Sequence, residues 1–408
     1  MLVTSVAADR IRSLDGVRLD LDTGVTAIVG PNGTGKTNLL EATYFGLTGR
    51  SFRTADRRDL IPFAGTWARC RVGVRSAEGV EHEFMSSVSR GQGNRFNLDG
   101  AAIDRAEAID RRPMVTVFSP DRLDIVKGPP AIRRSHLDSW IAARWPRRAG
   151  TRAAFGRALA QRNALIARIA GGHGDRSQLS PWNRQVATTG AELTNSRNEA
   201  VRELSAPYEK AGSELGLVGV NVLSYRPGST GDRDELERGL EERLEADLRL
   251  GRTTWGPHHD ELRLELDGRQ LRRFGSQGQQ RLGLLALFFA ERDALLSGGS
   301  APPLMLLDDV MSELDGERRN LLVDRLLEGG QSVITAAESN LVPAREDVKE
   351  LRVLDLISIK GKGRALPAEN CSRAVDPPDG LPGEPDRDET AGLGTGSVGT
   401  EGRDSVEG

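Results

Sequence analysis

The chain is poor in most of the residues that announce a specialised chemistry. It has only two cysteines, Cys70 and Cys371, far apart in 408 residues. That excludes a disulfide framework and predicts free thiols in a reducing compartment. Five histidines and two cysteines without ligand-like spacing give no case for a zinc site. Aromatics make up 4% of the chain, too few for a run of base-stacking platforms. The longest apolar run, Leu284–Ala290, is far too short to cross a bilayer, and the first residues, MLVTSVAADRIRS, contain no apolar signal core. Nor is there an excess of one charge: the formal net charge is −3. That balance hides a segregation. Residues 371–408 carry nine acids against three arginines, which leaves +3 for the rest.

Strand-like texture opens the chain at Leu2–Ala7, Val17–Leu21 and Thr26–Val29. A helix is expected from about Lys36 to Leu47. Paired strands are expected at Ala68–Arg75 and Val80–Val88, a DG hairpin at Asp99-Gly100 and a buried strand at Met114–Phe118. From Ala131 to about Leu250 the periodicity is mostly helical, broken at 171–180 and by a short strand at Val220–Tyr225. Strand texture returns at Glu261–Leu266, Leu304–Asp308, Ser332–Ala336 and Leu351–Ile359, with a helix near Glu317–Leu327. Beyond Lys362 the chain is too poor in apolar residues to offset its ordering entropy, and disorder is expected.

Gly30–Thr37, GPNGTGKT, fits G-x-x-x-x-G-K-[ST] between an apolar strand and a helix, the context a phosphate loop requires. Backbone N–H groups of Gly30, Pro31, Asn32, Gly33, Thr34 and Gly35, proline excepted, together with the helix start at Asn38, would surround phosphate oxygens. Lys36 would reach the β- and γ-phosphates and Thr37 would hold Mg²⁺. LMLLDD, Leu304–Asp309, reads as a strand buried on both faces with acids at its carboxyl end. Asp308 is assigned to Mg²⁺, and Asp309 to orienting the attacking water. A third stretch, FGSQGQQR at Phe274–Arg281, puts a serine cap and a glycine at the start of a very apolar helix. It is a second anion-ready helix end in one chain.

FGSQGQQR resembles the signature loop of ABC-type ATPases, and DDVMSELD resembles their Walker B strand running into the D-loop. With GPNGTGKTNLLEA, PDRLDIVKGPPAIRRSHLD (Pro120–Asp138) and TTWGPHHDEL (Thr253–Leu262), the match is specific to the RecF family of bacterial recombination and repair proteins, over about residues 1–360. The resemblance implies an α/β fold: an ABC-ATPase head, a P-loop NTPase related to SMC proteins. Its parts would be 1–125 and 253–362, split by a helical lobe at 126–252 and followed by a disordered acidic tail at 363–408. It implies ATP and Mg²⁺ as cofactors and an ATP-dependent homodimer in which Ser276, Gln277, Gly278 and Gln279 read the partner's ATP and Asp315 lies at the dimer seam. It implies a cytoplasmic clamp on DNA gaps or single-strand/double-strand junctions, assisting RecA loading with RecR and possibly RecO. Lys36 and Asp309 would then be the catalytic pair of a weak, DNA-stimulated ATPase. The alternatives are the ATPase subunit of an ABC transporter and a DNA-bridging protein with little hydrolysis.

Two departures stand out. Val333–Glu338, VITAAE, lacks the histidine usual in ABC ATPases. GPHHDE stands where the family tends to write GPHRDD, so His259 replaces Arg and Glu261 replaces Asp. Residues 131–168 hold nine arginines against one acid, Asp138. Arg133, Arg134, Arg144, Arg147 and Arg148 are the expected DNA-phosphate contacts. The loop GRSFRT, Gly49–Thr54, is a candidate link between nucleotide and DNA. Asp232–Arg249 reads as a solvated helix.

Overall fold

A computed structural model describes residues 1–91, 93–104, 111–299, 301–343 and 351–357. The expected tail (363–408), Cys371 and the end of the last expected strand lie outside them. Residues Met1–Ala365 form one compact unit.

The first half contains β1 (Leu2–Asp9), β2 (Val17–Asp20), β3 (Gly24–Val29), α1 (Lys36–Thr48), β4 (Trp67–Arg75), β5 (Glu81–Ser89), β6 (Gly93–Leu98), β7 (Ala101–Ala102) and β8 (Val115–Phe118). A helical stretch follows: α2 (Asp124–Lys127), α3 (Pro130–Arg144), α4 (Thr151–Ala170), α5 (Leu179–Glu214), then β9 (Asn221–Arg226), α6 (Arg233–Glu242) and α7 (Leu244–Leu250). The chain closes with β10 (Glu261–Leu266), β11 (Arg269–Gln270), α8 (Leu271–Phe274), α9 (Gln277–Ser297), β12 (Leu304–Leu307), α10 (Gly316–Leu327), β13 (Gln331–Ala336) and β14 (Leu351–Asp355).

Five strands make a parallel sheet in the order β14-β3-β13-β12-β8. Neither β12 nor β13 has an exposed residue, and β12 is apolar throughout, as a sheet covered on both faces requires. Alternation then feeds two cores from one strand. Met305 and Leu307 of β12 face the core built on α5 and α9, whereas Leu304 and Leu306 face the one built on α1 and the second sheet. That second sheet is antiparallel, β2-β1-β4-β5-β6-β7. α1 lies between the two sheets and approaches β4 so closely that a Cβ on Gly46 would come within 2.4 Å of Val72 Cγ2. Cys70 of β4 is fully buried there as a free thiol, and burial holds its pKa far above the ordinary thiol value.

The apolar helix read from LGLLALFFA is α9, whose residues Leu282–Ala290 are all buried. A helix apolar on every side must be enclosed. It packs against α5, which runs 36 residues without a break. The segment expected as a solvated helix is different. Leu236 and Leu240 of α6 are fully buried, and Asp247 of α7 is buried in an ion pair with Arg162 of α4 at 2.7 Å. Charge patterning read only the outer face of these amphipathic helices. Among the described residues no helix is long and apolar enough to cross a membrane.

Candidate nucleotide site

All the site's elements converge at the carboxyl edge of the parallel sheet. β3 runs into the Gly30–Thr37 loop, β12 into Asp308-Asp309, and β13 carries Thr335 near its end. The loop needs backbone that only glycine adopts freely: Gly33 has φ 82° and Gly35, at the start of α1, φ 102°. Lys36 folds back over the loop and donates from Nζ to the carbonyls of Gly30 (2.6 Å) and Pro31 (3.1 Å). Burial draws its pKa below the ordinary lysine value, and Asp309 and Asp308 pull the other way. Asn32 and Gly33 are exposed at the loop tip, and Thr34 Oγ1 closes the turn on the Pro31 carbonyl at 2.9 Å.

Thr37 and Asp308, 271 positions apart, meet: Thr37 Oγ1 lies 2.9 and 2.8 Å from the two carboxylate oxygens. Asp308 is buried, and burial raises its carboxyl above the usual range against the hydrogen bonds from Thr37 and Thr335. Asp309, beside it, is exposed and has left-handed backbone, φ 48°. Ser312 donates to its carboxylate. A hydroxyl and a carboxylate at this spacing suit Mg²⁺, which takes one or two protein oxygens and completes its shell with phosphates and water. No group of three or more metal-ligating side chains occurs among the described residues, so a closed protein cage does not compete with that arrangement.

The second helix end is also built as the sequence suggests. Ser276 caps α9 in a reciprocal box: its Oγ accepts from Gln279 N–H at 3.2 Å, and Gln279 Oε1 accepts from Ser276 N–H at 2.8 Å. The glutamines divide their duties. Gln280 is buried and ties the α8–α9 corner by donating to the Leu271 and Gly275 carbonyls, whereas Gln277 is exposed. A Cβ on Gly278 would meet nothing nearer than Ser276 Oγ at 4.0 Å. Its φ is not positive. Nothing among the described residues calls for a glycine there, although glycine costs a helix about 1 kcal/mol relative to alanine. Asp315 is exposed and caps α10 by accepting from Arg318 N–H at 2.9 Å.

The arginine assignment needs correction. Arg133 is buried; it pairs with Glu261 at 2.7 Å and donates to the carbonyls of Val126 and Gly128, so it cannot reach a DNA phosphate. Arg134 donates to the Asp260 carbonyl. Arg144 and Arg148 pair with Glu203 and Glu199 of α5 at 2.8 and 2.7 Å. Arg147 is exposed, with no ion pair among the described residues. The density of arginines in the sequence concealed acids supplied by a helix some 50 residues downstream.

Sequence reasoning missed three groupings. Glu41 of α1, fully buried, is held by Arg12 (2.6 Å), Arg53 (3.4 Å) and Ser51 (2.5 Å), so the GRSFRT loop is clasped to the nucleotide helix. Arg53 also reaches Asn38 Oδ1, at 3.2 Å. Arg197 of α5 grips both oxygens of Asp138, at 2.8 and 2.9 Å, and Asp260 at 2.6 Å. The Pro120–Asp138 and Thr253–Leu262 stretches are thereby fastened to each other. His258 is packed in that turn, and burial, then its neighbour His259, pushes its pKa down to about 4. The third grouping is on the open face of the antiparallel sheet. There Arg10 and Arg69 lie over the Trp67 ring at 4.8 and 5.4 Å, and Arg71 is two residues further along β4. Arg90 is exposed at the same end, and one acid, Asp9, is shared by Arg69 at 3.3 Å and Arg71 at 3.7 Å. Alternating arginines on β4 were the signal for this face.

The chain is similar to known proteins over most of its length. A family model described as "RecF/RecN/SMC N terminal domain" matches residues 2–354. The DNA replication and repair protein RecF of Streptomyces avermitilis is 35% identical over 357 residues, covering 84% of this chain and 95% of the relative. The RecF of Acidothermus cellulolyticus is 35% identical over 350 residues, 83% and 94% of the two chains. A solved structure of the recombination mediator protein RecF with ATP, from the RecFOR pathway, is similar at TM-score 0.72 and 28% identity, covering 85% of this chain and 93% of that one. An SMC head bound to the winged-helix domain of ScpA shares the fold at TM-score 0.52 and 16% identity, over 84% and 91% of the chains.

Proposed function

The chain belongs to the RecF family of DNA replication and repair proteins, and from that premise we propose that it works as an ATP-gated dimeric clamp on DNA. Two heads enclose two ATPs. Each ATP is cradled by Gly30–Asn38 of one chain and capped by Ser276–Gln279 of the other. The observation that carries this reading is Gly278: its Cα faces open space at the start of a capped helix, as a surface meant for another molecule's phosphate would.

Within each head, Lys36 and the loop amides hold the phosphates. Thr37 and Asp308 would hold Mg²⁺, which when bound would supply positive charge to offset that developing on the phosphate oxygens. Asp309 orients the attacking water, and Asp315 lies at the seam between the chains. With VITAAE in place of a switch histidine, turnover is slow and DNA-stimulated, and hydrolysis times the release of the clamp. Residues 126–252 serve as the helical lobe between the head segments 1–125 and 253–362.

DNA is held by its phosphates, at gaps or single-strand/double-strand junctions. Arg147 and the Arg10–Arg69–Arg71–Arg90 face supply the cations, and Arg53 relays the nucleotide state through Glu41. The homodimer, with RecR and possibly RecO as further partners, assists RecA loading in the cytoplasm, as the RecFOR setting of the similar structure suggests.

Gly278→Arg tests the clamp. It leaves the Ser276–Gln279 cap intact and points into open space, so the monomer should melt within about 2 °C of the parent, since an exposed helix position that loses glycine gains at most ~1 kcal/mol. In sedimentation with Mg-ATP and gapped DNA the parent should form dimers. Gly278→Arg and Lys36→Met should remain monomeric. A dimer unaffected by Gly278→Arg would sink the proposal.

A further inference from the structure

Thr335 is a fully buried hydroxyl on an otherwise apolar stretch of β13, flanked by Val333, Ile334 and Ala336. Burying a hydroxyl is unfavourable unless it is bonded, and valine would suit the strand equally well. The hydroxyl is bonded twice, in both senses. It donates to Asp308 Oδ1 at 2.9 Å and accepts the backbone N–H of Asp309 at 2.8 Å. One oxygen thus joins the two acids of the nucleotide site, which lie on a neighbouring strand end.

The second of those bonds bears on a backbone that resists its own conformation. Asp309 occupies the left-handed region, which crowds the Cβ of any residue but glycine and is least unfavourable for aspartate and asparagine. Its carboxylate is met by Ser312 from the turn that follows. Without a partner for its N–H, the Asp309 peptide has no reason to keep that orientation, and its side chain would leave the site with it. The next residues, Ala336 and Ala337, offer no polar side chain, so Thr335 is the last hydrogen-bonding side chain that β13 brings to this edge before Glu338.

We propose that Thr335 is a positioning residue for ATP hydrolysis: it couples the acid assigned to the metal with the backbone of the acid assigned to water, so that the two are set as one unit. The inference rests on the ATPase reading above. It explains how a site lacking the usual histidine still fixes its water-activating carboxylate. Thr335 does not touch substrate; it acts through Asp308 and Asp309.

The test compares Thr335→Val, Thr335→Cys and Thr335→Ser in the full chain, with steady-state turnover and equilibrium binding of a fluorescent ATP analogue measured side by side. Val removes the hydroxyl at nearly constant shape. Cys supplies a second variant that hydrogen-bonds poorly should Val disturb the strand. Ser restores the hydroxyl. Val and Cys should lower kcat by about 10–100-fold while changing nucleotide Kd less than about threefold, and Ser should recover most of the loss. Equal kcat in Val and parent, or equal loss in Ser and Val, would overturn the role of Thr335 while Asp309→Asn still abolished turnover. Turnover that survives Asp309→Asn would overturn the ATPase reading itself, and this inference with it.

Discussion

Replacing Arg197 by methionine is the most severe test of how this molecule is held together. The guanidinium is almost wholly enclosed and satisfies four acceptors: both oxygens of Asp138, one oxygen of Asp260 and the Pro257 carbonyl. Methionine fills much of the same space with no donor. Among the described residues, Asp138 would retain only Arg152 at 3.6 Å, and Asp260 only Tyr225 and the Gly228 N–H. Breaking one buried pair by removing a partner costs about 3–5 kcal/mol. Here two carboxylates are stranded but each keeps a partner, so we take about 4 kcal/mol. Near 60 °C the unfolding entropy is about 2.1 cal/mol/K per residue, so for the 365-residue unit that loss lowers Tm by roughly 5 °C. Calorimetry reads the shift directly. Adding Asp138→Asn and Asp260→Asn should recover part of it, because the charges left unpaired are then gone. A variant with Arg197→Met alone that melts within about 1 °C of the parent would refute the view that these two family stretches are fastened through Arg197.

Asp308→Asn removes a charge that burial disfavours, so without nucleotide it should melt no earlier than the parent, while its Mg²⁺-dependent ATP affinity falls at least about 10-fold. The pH dependence has a definite sign. Because the folded carboxyl is raised, the folded state holds the extra proton, and stability without nucleotide declines as pH climbs from the ordinary carboxylate value through the raised one; Asp308→Asn should flatten that segment of the melting curve. Over the same interval Mg-ATP affinity should strengthen in the parent, as titration calorimetry can measure. On DNA, the double charge reversal Arg10→Glu/Arg69→Glu should weaken binding across sequences alike and reduce the salt slope by about 2, whereas Arg133→Gln should act on Tm and leave the slope unchanged. Fluorescence anisotropy at several salt concentrations separates the two, and an unchanged slope in the sheet variant would remove that face from the interface.

The nucleotide edge was legible in the sequence because its chemistry is written locally. A glycine loop between a strand and a helix, and acids after an apolar strand, each declare their geometry within a few residues. The paired strands, the Asp99-Gly100 turn and the apolar α9 were readable for the same reason. What escaped depends on partners far along the chain. Arg133 looked like one more surface cation because Glu261, its partner, is 128 positions away. Asp247 looked solvated because Arg162, its partner, is 85 positions away. Thr335 passed as an ordinary β-branched strand residue, since its two bonds are made to a neighbouring strand end. Charge counts register composition, and burial is decided only when distant segments meet.

The unbroken length of α5 has a mechanical consequence. At 1.5 Å per residue its 36 residues span about 54 Å, and Arg197 grips it near the midpoint. One half packs with α4 and α6, the other with α9 and β9, behind the nucleotide edge. Held near its centre, α5 has the form of a lever, with Pro207 in its second half leaving one ladder hydrogen bond unmade. A tilt of about 5° at the Arg197 fulcrum carries each end through roughly 2 Å, as the 27 Å half-length dictates. A displacement of that size is about half the distance between neighbouring strands, enough to move one packed layer relative to the next. A tilt at Arg197 would therefore move the two ends of α5 together, in opposite directions.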